Sequence, residues 1–139
     1  MRYSAETIDL WQRAWVTHEK GRWTFTWFPD VRARLERVWC IMDHYTSQLM
    51  SGHGDFNAKL HELNLRGDAV CRCGSPQPTA EHLLYECPLS SQEREKLAVV
   101  VRAAGADWPC DPEFMTRSDV MFQAVKRFAH ATLCRTDEG

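Results

Sequence analysis

The most constraining feature of the sequence is a group of three cysteines and one histidine in its middle part. Cys71 and Cys73 are separated by one residue, His82 follows after eight further residues, and Cys87 after four more. Three thiolates and one imidazole are a common structural ligand set for Zn²⁺, which prefers a tetrahedron of sulfur and nitrogen atoms. The spacing therefore predicts that this stretch folds around one zinc ion. Because four protein ligands leave no position for water, we expect a structural zinc rather than a catalytic one.

The residues around these ligands suit a metal-bound turn. Gly74 lets the backbone bend towards the metal, and Thr79 can cap a short helix that carries His82 towards Cys87. The alternative is that the cysteines are ordinary buried thiols. It fits poorly, because Cys71 and Cys73 flank an arginine in a polar turn rich in glycine, serine and proline. A disulfide is a weaker alternative, because no apolar secretory signal opens the chain and its cysteines are expected to be intracellular and reduced.

The other three cysteines lie outside the predicted metal site. Cys40 continues an apolar helix end, Cys110 lies in a Trp-Pro-Cys-Asp-Pro loop, and Cys134 lies at the end of the last predicted helix. We interpret them as core or incidental thiols, since free cysteine is among the most often buried residue types.

Length and composition are those of one globular domain. The chain has 139 residues, 44% of them hydrophobic, with 17 basic and 19 acidic side chains and a net charge of −2. This balance excludes a uniformly cationic coat for nucleic acid, so any such contact must use a local patch. The apolar runs are far shorter than the roughly 20 residues of a membrane-spanning helix, so no membrane partner is expected. No internal repeat or long linker divides the chain.

Periodicity and capping residues predict a mostly α-helical fold. We expect helices from Ser4 towards Gly21, after Asp30, over residues 43–50, after Asp55, after Ser90 and from Ser118. Ser90 and Glu93 form a predicted capping box. The alternation of aromatic and hydroxyl residues from Trp23 to Trp27 instead predicts a short extended segment. The predicted parts of the single domain 1–139 are a helical part (1–66), the zinc knuckle (67–90), C-terminal helices (91–134) and a loose tail (135–139).

Two helical stripes are candidates for the core. In the helix after Asp30 the apolar positions at helical spacing are Val31, Leu35, Val38 and Trp39, with Arg34 and Arg37 pointing away. In the last helix they are Met121, Val125, Phe128 and Thr132.

A local patch could contact nucleic acid. Residues 20–37 contain five cations and two carboxylates, a net charge of +3, and five of the six tryptophans lie before residue 40. Arginine and lysine neutralise phosphates while bases stack on aromatic rings. The alternative is that the tryptophans belong to the core and the charges to a solvated face. The candidate nucleic-acid-binding residues are Lys20, Arg22, Trp23, Arg32, Arg34 and Arg37, together with Arg72 and Tyr85 of the knuckle.

The motifs of the obvious enzyme classes are missing from the sequence. A polymerase needs paired metal-binding aspartates, and the sequence contains no Asp-Asp pair. The His-x-Glu and Cys-x-x-Cys signatures of zinc deaminases do not occur around His82. We therefore predict a chain with no catalytic residues and no small-molecule substrate.

Five motifs in a fixed order resemble one protein family. They are Trp11-x3-Trp15, the run from Lys20 to Thr24, Pro29-Asp30-Val31, the run from Ser51 through Gly54 to Phe56, and the Cys-Cys-His-Cys run followed by Pro88 and Arg94. Over about residues 10–97 the chain resembles the C-terminal region of reverse transcriptases from non-LTR retrotransposons, especially arthropod site-specific elements. Departures include Trp27-Phe28 where an aliphatic pair is usual and Met50-Ser51 where the family has Leu-Thr.

The resemblance implies an accessory region downstream of a polymerase core, with a zinc knuckle that helps to hold template RNA or target DNA. It implies Cys71, Cys73, His82 and Cys87 as the ligands of one structural Zn²⁺. We expect a nuclear location and RNA, single-stranded or target DNA, and a polymerase domain or another protein as partners. The second hypothesis is a host-adopted, zinc-pinned module that binds a protein and no nucleic acid.

Overall fold

Polar side chains mark where several helices begin. The computed structural model describes residues 3–52 and 79–138, and within them every regular element is a helix. Ser4, Asp30, Asp43 and Thr79 each accept a hydrogen bond from the backbone N–H three residues later, which satisfies a donor that has no partner inside its helix. These caps begin α1 (Ala5–Thr17), α3 (Val31–Glu36), α4 (His44–Ser51) and α5 (Ala80–Tyr85). The mostly α-helical fold class predicted from the sequence is confirmed.

The remaining elements are α2 (Arg22–Trp27), α6 (Ser91–Ala103) and α7 (Asp119–Glu138), with short 3-10 turns at Pro88–Ser90 and Pro112–Thr116. The predicted capping box is wrong in one respect, because the Ser90 side chain makes no cap hydrogen bond. Helix α7 continues through Glu138, into the residues predicted as a loose tail. The helix predicted after Asp55 lies outside the described residues.

The extended aromatic segment predicted from Trp23 to Trp27 is wrong, because these residues form helix α2. Gly21 precedes the helix with a φ of +72°, in the left-handed region that favours glycine. An alternation with a period of two also places aromatic residues at positions 23 and 27, and residues four positions apart share one face of a helix. The two indole rings pack edge to face at 5.9 Å, Trp27 is fully buried, and Trp23 Nε1 donates to the carbonyl of Leu49 at 2.7 Å. Contact with α4 therefore decides the conformation.

The core forms around α7, which packs against α6 on one side and α4 on the other. Helix α6 contributes Leu97 and Val101, and α4 contributes Leu49 and Met50, all nearly inaccessible to solvent. The predicted stripe of α7 is confirmed, since Met121, Val125, Phe128 and Thr132 are all buried. The predicted stripe after Asp30 is wrong at Val38, which is 79% exposed because α3 ends at Glu36.

Arg37 connects the segment after α3 to the 3-10 turn before α7. Its Nη1 donates to Thr116 Oγ1 at 2.7 Å and lies 3.1 Å from Glu113 Oε2. Next to it, Trp39 Nε1 donates to the carbonyl of Thr116 at 3.1 Å. Hydrogen bonds from Arg117 and Arg37 hold the pKa of Glu113 below its usual value. Arg37 thus points into the structure rather than away from it.

Asp43 connects α4 to α7. One carboxylate oxygen caps α4, and the other lies 2.9 Å from His130 Nε2 and 3.9 Å from Lys126 Nζ. Burial by itself raises the pKa of Asp43, but hydrogen bonds from His130 and Thr46 outweigh it and lower the pKa to about 2.

Among the described helices, none combines the length and the apolar character that a membrane-spanning helix requires.

Replacing Arg37 with methionine should destabilise the fold. The substitution Arg37→Met keeps an apolar stem but removes the charge-assisted hydrogen bonds to Glu113 and Thr116, and we expect a loss of about 1–3 kcal/mol. Urea unfolding followed by circular dichroism measures it. Arg32→Met is the matched control, because Arg32 is exposed and its loss should change stability by less than about 0.5 kcal/mol. Equal stabilities of the two variants would contradict this role of Arg37.

The Asp43 carboxylate should make stability depend on pH in the acid range. Its pKa is lower in the folded chain than the unfolded value, so its contribution is complete above the unfolded pKa and is lost as pH falls through the folded pKa. Asp43→Asn keeps a cap acceptor and removes the charge. We expect the stability gap between wild type and Asp43→Asn to shrink between about pH 5 and pH 2 in denaturant titrations. Asp30→Asn removes another cap carboxylate and is the control; an equal shrinkage there would contradict the specific role of Asp43.

Candidate metal centre and nucleic-acid surface

Helix α5 places the last two predicted zinc ligands on one buried turn. Thr79 Oγ1 accepts from the backbone N–H of His82 at 3.1 Å and fixes the start of the helix. At its end, the N–H groups of Glu86 and Cys87 both donate to the carbonyl of His82 at 2.8 Å, which turns the chain back towards the histidine. His82 is 6% exposed and Cys87 is 2% exposed. Both side chains are therefore withdrawn from solvent on the same short turn.

The other predicted ligands, Cys71 and Cys73, lie outside the described residues, as does Arg72. Among the residues that the structure describes, no group of three or more His, Cys, Asp or Glu side chains could hold a metal ion. The four-ligand zinc site stays a prediction.

Glu86 lies next to the imidazole of His82. Its Oε1 is 3.5 Å from His82 Nδ1, one helical turn along α5. A carboxylate beside one ring nitrogen favours the tautomer with a proton on that nitrogen, so that in the predicted zinc site the other nitrogen, Nε2, would be the one to bind the metal. Histidine ligands of zinc commonly have such a carboxylate partner.

Arg94 of α6 braces the same turn, a role that the sequence alone did not reveal. Its Nε donates to the carbonyl of Leu84 at 2.7 Å, and its Nη2 donates to those of Leu83 at 3.0 Å and Cys87 at 2.7 Å. Leu83 and Leu84 lie in the last turn of α5, where carbonyls have no partner inside the helix, and the carbonyl of Cys87 also accepts from the backbone N–H of Ser90 at 3.1 Å. Burial lowers the pKa of Arg94, and the neighbouring Cys87, Glu86 and Glu93 oppose that shift. One charged side chain thereby fixes the path from α5 to α6.

Three arginines of the predicted basic patch make contacts inside the protein. Arg22 lies over the rings of Phe25 at 4.5 Å and Trp15 at 5.3 Å, and its Nη2 donates to the Trp15 carbonyl at 2.5 Å. It therefore caps the end of α1 and stacks on aromatic rings. Arg37 forms an ion pair with Glu113 and a hydrogen bond to Thr116, and Arg34 lies over the Phe28 ring at 5.0 Å.

Among the described residues of the predicted patch, Lys20 and Arg32 are the exposed cations. Trp23 and Tyr85 are half-buried, and the polar edge of each ring has an internal partner. Trp23 Nε1 donates to Leu49, and the Tyr85 hydroxyl donates to the carbonyl of Cys110 at 2.7 Å. In the described part of the patch, two cations are therefore exposed and the remaining residues make contacts inside the protein.

The three other cysteines are interpreted as core or incidental thiols, and the structure agrees as far as it describes them. Cys40 is 4% exposed, and its Sγ lies 3.8 Å from the carbonyl of Thr116. Cys110 is partly buried, and burial raises the pKa of both thiols. The side chain of Cys134 lies outside the description.

Comparison with known proteins identifies similar sequences in retrotransposons. The chain is 36% identical over 122 residues to a retrovirus-related Pol polyprotein from type-1 retrotransposable element R1 4 of Nasonia vitripennis, covering 87% of this chain and 31% of the relative. It is 39% identical over 88 residues to the R1 Pol polyprotein of Bradysia coprophila, covering 63% and 9%. A third relative is a putative 115 kDa protein in element R1DM of Drosophila melanogaster, 34% identical over 102 residues, covering 73% and 10%.

The chain spans about a third or less of these relatives' own length. No family model and no solved structure matches it. The similarity nevertheless extends over most of the chain, beyond the cysteine region into the helical parts. Its homologues are Pol polyproteins of R1 retrotransposons, which confirms the predicted resemblance to non-LTR retrotransposon proteins and leaves the zinc knuckle untested.

Proposed function

We propose that this chain is a zinc-stabilised accessory region of an R1-type retrotransposon Pol polyprotein that helps to hold RNA or DNA and has no catalytic residues. The observation that supports it most is the burial of His82 and Cys87 on one turn of a chain whose homologues are Pol polyproteins. In this proposal the polymerase chemistry belongs to other parts of the polyprotein. This region positions the nucleic acid.

The proposed zinc ligands are Cys71, Cys73, His82 and Cys87. The donor chemistry of the described pair fits the metal, because a histidine with a carboxylate beside Nδ1 and a cysteine removed from solvent are typical zinc ligands. A bound zinc would contribute its binding free energy to folding, since the unfolded chain has no preformed site. Arg94 would keep the backbone of the turn in place for the metal.

The proposed nucleic-acid contact uses the exposed cations Lys20 and Arg32, with Arg72 of the knuckle. The aromatic residues of the predicted patch mainly support the fold, because Trp27 is buried and the indole N–H of Trp23 is bonded to α4. Arg22 and Arg37 serve the same scaffold through their internal bonds. The contact is therefore mainly electrostatic, which favours binding with little sequence preference.

The zinc proposal predicts one zinc ion per chain. Metal analysis of purified protein should give a ratio near one, and His82→Ala should remove most of the zinc and lower the melting temperature. His82→Cys should retain zinc, because four thiolates are also a tetrahedral zinc set. His18→Ala is the matched control, since His18 is an exposed histidine far from the ligands in sequence. Protein without zinc, or an unchanged melting temperature and zinc content in His82→Ala, would contradict the proposal.

The nucleic-acid proposal predicts binding that weakens with salt. The double variant Lys20→Ala/Arg32→Ala should bind a single-stranded oligonucleotide more weakly and reduce the slope of log K against log salt by about 1.4, or about 0.7 per phosphate contact. Fluorescence anisotropy at several salt concentrations measures both. Arg102→Ala is the control, because Arg102 is an exposed arginine of α6 paired with Glu95. No binding at low salt, or the same slope in the double variant, would exclude this surface.

A further inference from the structure

A cleft lies beside α2 and α5. Its volume is about 360 Å³. Trp23 and Thr26 of α2 and Glu81 and Tyr85 of α5 form two of its walls, and the loop of Pro109, Cys110, Asp111 and Pro112 completes it. Trp108 packs against the Tyr85 ring with a centroid distance of 5.6 Å. Two aromatic rings, two prolines and two carboxylates therefore face one space.

In the described lining of this cleft, the side-chain donors other than the Cys110 thiol are already used inside the protein. Trp23 Nε1 donates to the carbonyl of Leu49, the Tyr85 hydroxyl donates to that of Cys110, and Thr26 Oγ1 donates to that of Trp23 at 2.5 Å. The two prolines have no backbone N–H to offer. What the lining presents to a ligand is aromatic surface and hydrogen-bond acceptors.

The acceptors include two negative charges. Glu81 and Asp111 are exposed, and among the described residues that line the cleft there is no lysine, arginine or histidine. Neither carboxylate has an ion-pair partner among the described residues. Asp111 makes no side-chain cap hydrogen bond to the 3-10 turn that follows it. Burial raises the pKa of Tyr85, and the nearby Cys110, Asp111 and Glu81 raise it further.

We propose that this cleft binds an arginine side chain of a protein partner. A guanidinium has five N–H donors and no acceptor, so it complements a described lining that offers acceptors and, besides a weakly donating thiol, no unused side-chain donor. Its plane stacks on aromatic rings, and its charge is attracted to the carboxylates of Glu81 and Asp111. Phosphates of a nucleic acid need donors and positive charge, and both carboxylates would repel them. The partner surface is therefore a basic peptide segment. Its charge is opposite to that of the nucleic acid in the proposed function.

The test uses two blocked pentapeptides, acetyl-Gly-Gly-Arg-Gly-Gly-amide and the same peptide with citrulline, the neutral analogue of arginine. Each is titrated into isotope-labelled full-length protein, and amide and indole shifts are followed by NMR. We expect the arginine peptide to shift the indole N–H of Trp23 and the amides of Glu81, Tyr85 and Asp111, with a Kd on the order of millimolar. Citrulline should weaken binding about fivefold or more, since the charge contributes most of the attraction.

Protein variants test the two carboxylates separately from the fold. Glu81→Gln and Asp111→Asn should each weaken arginine binding about three- to fivefold, as expected for the loss of one exposed ion pair. Glu36→Gln is the matched control, because Glu36 is exposed on α3 and does not line the cleft. Equal binding of arginine and citrulline, shifts confined to other residues, or cleft shifts produced by oligothymidylate would overturn the proposal. The peptide comparison requires no variant, so it is decisive even if a substitution impairs folding.

Discussion

The burial of one face of α7 is the constraint on which the other elements depend. Phe122, Val125 and Phe128 are almost inaccessible to solvent, and they pack between α4 and α6. A helix of this length has little stability alone in water, and tertiary packing of its apolar face supplies most of it. Asp43 then joins α4 to α7 through its contacts with Lys126 and His130, so that packing and charge fix the same pair of helices.

Arginine has two roles in this molecule. Some arginines support the fold through internal hydrogen bonds, and an exposed one is left for the proposed recognition of nucleic acid. Arg22, Arg37 and Arg94 direct their guanidinium groups at backbone carbonyls or at partly buried side-chain partners. Arg32, by contrast, stays exposed on α3. A net charge counted over a sequence window therefore overestimates the positive surface, because internal hydrogen bonds use part of that charge. The proposed nucleic-acid contact is correspondingly small.

Charge is also divided in space. The cations of the proposed nucleic-acid contact include Lys20 after α1 and Arg32 in α3, whereas the described lining of the cleft beside α5 includes Glu81 and Asp111 and no cation. A weakly acidic protein with a net charge of −2 can therefore offer a phosphate-binding surface and a guanidinium-binding cleft at once. The two proposals require ligands of opposite charge, so their tests cannot be mistaken for each other.

The sequence by itself determined the features that depend on neighbours within one helical turn. Ser4, Asp30, Asp43 and Thr79 predicted helix starts because a cap is a local hydrogen bond, and the stripe of α7 predicted its buried face because helical spacing is local too. The ligand spacing likewise predicted a zinc site, half of which lies outside the described residues.

Only the tertiary structure decided the conformation of residues 23–27, the exposure of Val38 and the roles of the arginines. The aromatic alternation fits a strand or one helical face equally well, and the packing of Trp23 on Trp27 together with the bond from Trp23 to α4 selects the helix. Arg37 meets Glu113 across 76 positions of sequence. Partners so distant are brought together by the packing of the whole chain, and no local pattern contains that information.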